Sequence, residues 1–264
     1  VSGVERIAEA FASARADGRR AALMPYLMGG FPDLDTSREI ARAYVEGGAD
    51  LIELGVPFSD PLADGPVIHA AGTAALRAGV SSARVLELAR AASGEVPVVI
   101  MCYANVILAR GPERFADALL EAGASGLIVP DLPHEEAPAM LELCDRHGLA
   151  LVPLVSPASS DERMSAIGSS ARGFLYAVSL LGTTGERAAV DGRLEGLLAR
   201  ARAATEVPVA VGFGIATPEQ GAAAAAAGAD GVIIGSRLVR AAAEAEDPPA
   251  AVRELLGAFR RALL

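Results

Sequence analysis

The stretch EGGADLIELGV, residues 46–56, has two counterparts further along the chain: EAGASGLIVPD at 121–131 and AAGADGVIIGS at 226–236. Each reads as the end of a helix, a glycine, an alanine (serine or aspartate next) and a short apolar strand. Gly47 or Gly48, Gly123 and Gly228 stand where a helix C-terminus needs a left-handed residue, which glycine supplies without a Cβ clash. A second pair, EVPVVIMCYA at 95–104 and EVPVAVGFGI at 206–215, matches as well. Recurrence of this kind points to repeated βα units.

Eight strand-like runs follow from that reading: 21–28, 50–55, 97–102, 126–130, 149–155, 173–179, 208–213 and 231–235. They are continuously apolar, as parallel strands covered on both faces are. Helical patterns lie between them, among them TSREIARAYVEG, PERFADALLEAG, HEEAPAMLELCDRHG and PEQGAAAAAAG. Eight units in a chain of 264 residues predict a (β/α)8 TIM barrel. The N-terminal segment carries Ile7 and Phe11 at helical spacing and is broken by Glu5, Glu9 and Asp17, so it reads as an extra amphipathic helix and not a targeting peptide. An open doubly wound sheet is the alternative; no G-x-G-x-x-G opens a helix after the first strand, which weakens its dinucleotide-binding form. No linker or charge block divides the chain, so residues 1–264 are expected to form a single domain.

Composition narrows the function. The chain is 52% hydrophobic, with 21% charged residues and a mean hydropathy of +0.36. A formal charge of −10 argues against nucleic acid or an acidic membrane as partner. All 23 basic residues are arginine, so no lysine can form a Schiff base with a carbonyl substrate or with pyridoxal phosphate. Cys102 and Cys144 are far apart and read as core residues in a reducing compartment. No apolar run approaches the ~18 residues of a membrane span. The cytoplasm is the default location. His69, His134 and His147 are too scattered for a metal site.

Glu53 interrupts the apolar run 50–55. Alternation puts Leu51, Glu53 and Gly55 on one face and Ile52 and Leu54 on the other, and with both faces buried parity cannot say which faces the lumen. A buried carboxylate is costly unless it is paired or does work. The loop VPFSDPLADGP then carries Asp60 and Asp64. Asp60, in S-D-P, reads as a turn former. Asp64 can be a turn residue too, or one of two carboxylates dividing acid and base work with Glu53 at the barrel mouth. Three glycine-rich strand ends, LLGTTGE, GFGIATPEQ and IIGSRLV, follow the last three strands. In this fold such loops commonly bind phosphate through main-chain N–H groups and helix N-termini; ordinary strand–turn–helix chemistry is the other reading. Thr217 reads as an N-cap with Pro218 and a Gln220 capping box, and Ser236 as the N-cap of another helix.

The stretch ELGVPFSDPLADGP (53–66) closely resembles the signature of the tryptophan synthase alpha subunit family. PYLMGGFPD (25–33), CYAN (102–105), GLIVPDLPHEE (126–136), FLYAVSLLGTTG (174–185), VGFGI (211–215) and GVIIGSRLV (231–239) extend the likeness over nearly the whole chain. The resemblance implies a carbon–carbon lyase that cleaves indole-3-glycerol phosphate to indole and glyceraldehyde 3-phosphate, with Glu53 as acid–base group and Asp64 accepting the indole N–H. It implies a phosphate site at Gly185, Phe213, Gly214, Gly235 and Ser236, an indole pocket of Tyr26, Met101, Ile128 and Tyr176, and a lid over 181–192 whose Thr184 contacts Asp64. It implies no cofactor or metal in this chain, and an αββα complex with a pyridoxal-phosphate beta subunit, contacted through Pro57, Asp60, Asn105 and Pro133. Tyr26 stands where many relatives have Phe, Leu180 where some have Arg, and GGFP where some have G-D-P. A free-standing lyase, another phosphate-binding barrel and a silent activator of a partner are the competing functions.

Overall fold

The computed structural model describes residues 1–179, 192–212 and 214–264. Within that range every strand-like run of the sequence is a strand. The strands are β1 (Ala22–Met28), β2 (Ile52–Gly55), β3 (Val98–Met101), β4 (Gly126–Ile128), β5 (Ala150–Val152), β6 (Leu154–Val155), β7 (Leu175–Val178), β8 (Val209–Gly212) and β9 (Gly231–Ile234). All ladders are parallel, in the order β5-β4-β3-β2-β1-β9-β8-β7-β6. The single run expected at 149–155 is cut at Pro153, which has no N–H to offer a ladder. Below the proline, β5 pairs with β4; above it, β6 pairs with β7. One stretch of chain therefore belongs to both ends of the sheet, and a 3.0 Å bond from Tyr176 N–H to the Pro153 carbonyl bridges the seam. The ring so made is a TIM barrel.

Helices cover the outside. α1 (Gly3–Ala16), α2 (Leu34–Glu46), α4 (Ser82–Ala92), α6 (Pro112–Glu121), α7 (Pro138–Arg146), α8 (Asp161–Ser170), α9 (Gly192–Ala204) and α10 (Pro218–Ala226) match the helical patterns of the sequence. The pattern at 134–148 is divided: a 3-10 turn, His134–Glu136, precedes α7, because Pro138 fits only the first helical turn. Further helices are α3 (Pro66–Arg77), α5 (Ala104–Arg110), α11 (Ser236–Glu244) and α12 (Pro248–Ala262). The last buries Val252, Leu256 and Phe259 against α2, α10 and α11. Of the glycines in the repeat, Gly48 (φ 88°), Gly123 (φ 70°) and Gly228 (φ 105°) are left-handed. Gly47, at φ −73°, only ends α2.

Two buried layers result. The outer one packs Ile52 and Leu54 against the helices. The inner one fills the lumen with Met24, Tyr26, Leu51, Val99, Met101, Ile128 and Tyr176, among others. α1 stoppers the N-terminal end with Ile7 and Phe11, whose ring lies 6.0 Å from that of Phe174. Each such side chain contributes roughly 1.5–3 kcal/mol on burial. The repeat also fixes where each strand starts. Asp50 N–H donates to the Leu23 carbonyl at 2.9 Å, and Leu23 N–H returns to Asp50 Oδ2 at 2.7 Å. Asp230 and Val209 do the same at 2.8 and 3.0 Å. Ser125 keeps the main-chain half of this pairing, 2.8 Å to the Val98 carbonyl.

Candidate active site

Leu51 lies in the inner layer and Ile52 and Leu54 in the outer one, which settles the parity of β2: Glu53 faces the lumen. The register sets Tyr26, Glu53 and Val99 side by side on β1, β2 and β3. Glu53 is 2% exposed, and its Oε2 has no hydrogen-bond partner among the described residues. Among the described residues no arginine or backbone amide satisfies that oxygen, so the purely structural reading of this acid finds no support there. Burial, then the nearby Asp64 charge, push the Glu53 carboxyl up to about 8. Such a group is a proton donor at neutral pH and becomes a base once the proton has left.

Asp64, on the loop that follows β2, lies near enough for its charge to act on Glu53. The Tyr103 hydroxyl donates to Asp64 Oδ1 at 2.8 Å and accepts the Ala63 N–H at 3.1 Å. The Tyr103 ring, 4% exposed, stacks on Phe58 with centroids 5.2 Å apart. One tyrosine thus ties both ends of the loop to the end of β3. Burial raises the Asp64 pKa, against the Tyr103 hydrogen bond and the charge of His69, which lower it. Tyr103, within CYAN, has no role assigned by the sequence pattern; a tyrosine at a strand end close to an acidic loop is the signal that points to it.

The expected indole-pocket residues converge. Tyr26, Met101, Ile128 and Tyr176 all belong to the inner layer around Glu53. Two glycines make room for the tyrosines. A Cβ on Gly55 would lie 2.1 Å from the Tyr26 hydroxyl, and one on Gly212 would lie 2.2 Å from that of Tyr176. A cavity of about 780 Å³ opens beside this cluster, touching Ala63, Met101 and Val178 and running outward across the Pro153 seam between α7 and α8. Glu53 does not line it.

At the ends of the adjacent strands β8 and β9, Gly214 (φ 82°) is exposed, and Gly235 ends β9 and caps α11. Ser236, read from sequence as the N-cap, is instead the exposed first residue of α11; no side-chain hydrogen bond caps that helix. Leu238 and Val239 N–H donate to the Gly235 carbonyl at 2.9 and 3.1 Å, and helix geometry leaves the amides ahead of them without intrahelical partners, a ready anion site. It lies next to the lumen, since a Cβ on Gly235 would be 3.8 Å from Tyr26 Cβ. The Thr217–Gln220 capping box of α10 forms as expected. Gly185, Phe213, Thr184, Leu180 and all of the expected lid but Gly192 lie outside the described residues.

Of the expected partner contacts, Asp60 and Pro133 are exposed on loops; Asn105, expected on a loop, is exposed in the first turn of α5, and Pro57 is buried. Cys102 and Cys144 are free and buried, and burial pushes the Cys144 thiol up to about 12. Among the described residues no group of three or more His, Cys, Asp or Glu could hold a metal ion, and no helix is long and apolar enough to cross a membrane.

Comparison with known proteins agrees with this geometry. The family model described as tryptophan synthase alpha chain matches residues 11–262. A tryptophan synthase alpha chain of Prochlorococcus marinus (strain MIT 9313) is 46% identical over 259 residues, covering 97% of this chain and 93% of the relative. That of Methanosarcina mazei is 47% identical over 242 residues, or 92% and 88% of the two chains. A solved structure of Mycobacterium tuberculosis tryptophan synthase superposes with a TM-score of 0.90 at 41% identity, covering 98% of each chain. The alpha subunit from Legionella pneumophila (strain Paris) gives 0.89 at 38% identity, again covering 98% of each. With a barrel of this topology, an unpaired lumenal glutamate beneath a loop aspartate and a family match across nearly its whole length, the chain belongs to the tryptophan synthase alpha chain family.

Proposed function

We propose that Glu53 and Asp64 carry out, in this chain, the family's cleavage of indole-3-glycerol phosphate to indole and glyceraldehyde 3-phosphate. The activity is that of the tryptophan synthase alpha subunit, a carbon–carbon lyase of tryptophan biosynthesis. The supporting observation is the buried, unpartnered Glu53 carboxyl, held protonated at neutral pH by desolvation and by Asp64.

Glu53 delivers its proton to ring carbon 3, giving an indoleninium whose positive charge lies on the ring nitrogen side. Asp64, fixed by Tyr103, accepts the indole N–H and stabilises that charge. The Glu53 carboxylate then takes the proton of the side-chain hydroxyl. The O–H electrons form the aldehyde carbonyl, and the electrons of the breaking carbon–carbon bond restore the aromatic ring. Glu53 ends as it began, protonated, and the products are neutral indole and glyceraldehyde 3-phosphate. The α11 N-terminus with Gly214, Gly235 and Ser236 holds the phosphate, and Gly185 and Phe213 complete that site by family resemblance. Tyr26, Met101, Ile128 and Tyr176 sandwich the ring, and by family resemblance Thr184 would contact Asp64. No step needs a lysine, a metal or a cofactor of this chain's own; pyridoxal phosphate belongs to the beta subunit.

The family implies a beta-subunit partner, and we assign the chain to an αββα complex in the cytoplasm. Asp60, Asn105 and Pro133 on the exposed rim would meet the partner, with Pro57 stiffening the loop from below. Incubating the chain with indole-3-glycerol phosphate, with and without a beta subunit, and measuring free indole tests the reading. Indole release that falls about a thousandfold or more in Glu53→Gln is the expected result. Wild-type turnover by that variant would overturn the assignment.

A further inference from the structure

Among the described residues the inner layer holds two hydroxyls that the reaction as written does not use, those of Tyr26 and Tyr176, and that of Tyr26 comes from the strand beside Glu53. Tyr26 is 5% exposed and is the strand neighbour of Glu53 on the lumen face. Its hydroxyl reaches over Gly55, which lies one pleat beyond Glu53 toward the mouth. There it donates to Met28 Sδ at 3.9 Å, a weak acceptor. Both Asp64 and Glu53 act on it: after burial, these two carboxyl groups are the largest causes that raise the phenol's pKa. A neutral donor is thus spent on a thioether within the field of both acids, while Glu53 Oε2 has no partner among the described residues.

We propose that Tyr26 is a positioning residue for the lyase reaction, whose hydroxyl turns from Met28 Sδ to Glu53 Oε2 as the glutamate gives up its proton to the ring. The proposal rests on the reading of Glu53 as the acid. The proton stays on Tyr26; only the direction of its hydrogen bond changes, helped by the soft terminal torsion of the glutamate. A hydrogen bond made to the carboxylate and not to the carboxylic acid stabilises the transition state over the ground state, so it raises kcat and leaves substrate binding alone. Among the described residues the groups facing Glu53 are few. Tyr26 comes from β1, Tyr176 from β7 and Asp64 from the loop after β2, with His69 of α3 acting on Asp64. The other strands present apolar side chains there, such as Val99, Ile128 and Ile233. Tyr176 reaches over Gly212 on β8, whereas Tyr26 is on the strand beside Glu53.

The test is the pH profile of indole release from indole-3-glycerol phosphate by the full chain, in wild type, Tyr26→Phe, Glu53→Gln and the double variant. Tyr26→Phe should lower kcat about tenfold, the scale of one lost hydrogen bond to a charged group, with KM unchanged. It should also move the alkaline limb of kcat to higher pH, because the carboxylate has lost its donor. Replacing Tyr26 by 3-fluorotyrosine, which keeps the shape and strengthens the donor, should move that limb to lower pH. In Glu53→Gln, adding Tyr26→Phe should change nothing further. An unmoved limb in Tyr26→Phe, or a loss confined to KM, overturns the proposal. Should Tyr26→Phe fail to fold, an unmoved limb in the fluorotyrosine protein overturns it equally. A Glu53→Gln variant with wild-type turnover would remove the underlying reading, a different outcome from an inactive Glu53→Gln beside an unshifted Tyr26→Phe.

Discussion

Asp50 and Glu53 belong to the same short stretch of sequence and sit at opposite ends of the same strand's environment. At the N-terminal end of the barrel, Asp50 accepts Leu23 N–H at 2.7 Å and is gripped by Arg19, whose second nitrogen donates to Asp50 Oδ1 at 2.7 Å. The Arg19 side chain is buried and that of Asp50 only 9% exposed, and the acid is paired on both oxygens. Toward the C-terminal end, Glu53 is at least as deeply buried, and one oxygen is paired with nothing in the described chain. One acid holds the fold together, and the other is kept at the fold's expense. The difference teaches that residue type and burial do not identify a catalytic acid; the pairing does.

Glu53→Gln should separate the two ends most sharply. Indole release should fall about a thousandfold or more, while stability above pH 5 should rise. The sign follows from the raised pKa: the wild-type carboxyl stabilises the fold fully below its unfolded pKa, near 4.5, and loses that contribution as pH climbs to about 8. Wild type should therefore weaken by up to about 1.4 kcal/mol per pH unit across that window, and denaturation of the glutamine variant should lack this slope. Identical pH dependence in the two proteins would break the comparison. Catalysis by the wild type should also decline above pH 8, as the donor form of Glu53 is lost. Asp64→Asn should cost about a hundredfold in kcat, with thermal stability near wild type. Asp50→Ala should do the reverse, losing about 3 kcal/mol of stability by stranding Arg19, with kcat close to normal wherever the protein is folded. A dead but stable Asp50→Ala would contradict the division between the ends. Tyr103→Phe is the mildest case: it keeps the stack on Phe58 and drops the bonds to Asp64 and Ala63, so kcat/KM should fall about tenfold.

Most of the barrel could be read along the chain. All eight apolar runs became strands, counting the two pieces around Pro153 as one, because parallel strands buried on both faces need a continuous apolar sequence. Helix ends were legible where their chemistry is local: Gly123, Gly228 and the Thr217 capping box behave as their neighbours dictate. Elsewhere neighbouring positions competed: of Gly47 and Gly48, left open by the sequence, Gly48 takes the left-handed turn, and Gly235, not the expected Ser236, caps α11. In both places adjacent residues could serve, and packing chose between them. Helix α3 left little trace, since its small residues PVIHAAGTAALR give a weak periodic signal.

In the site, the Glu53-to-Asp64 stretch drew attention on its own, because an acid in an apolar run violates the local pattern. The task of Tyr103 did not, as it depends on a contact with residues about forty positions earlier. Sequence alone fixed the number of βα units, the acids they carry and the glycines at their ends, since these follow from local periodicity and backbone freedom. Only the closed barrel decided that Glu53 faces inward, that no donor meets its Oε2 among the described residues, and that Tyr26 and Tyr103 stand beside the two acids. Parity along a strand leaves two faces equivalent until the ring closes and gives one of them a lumen.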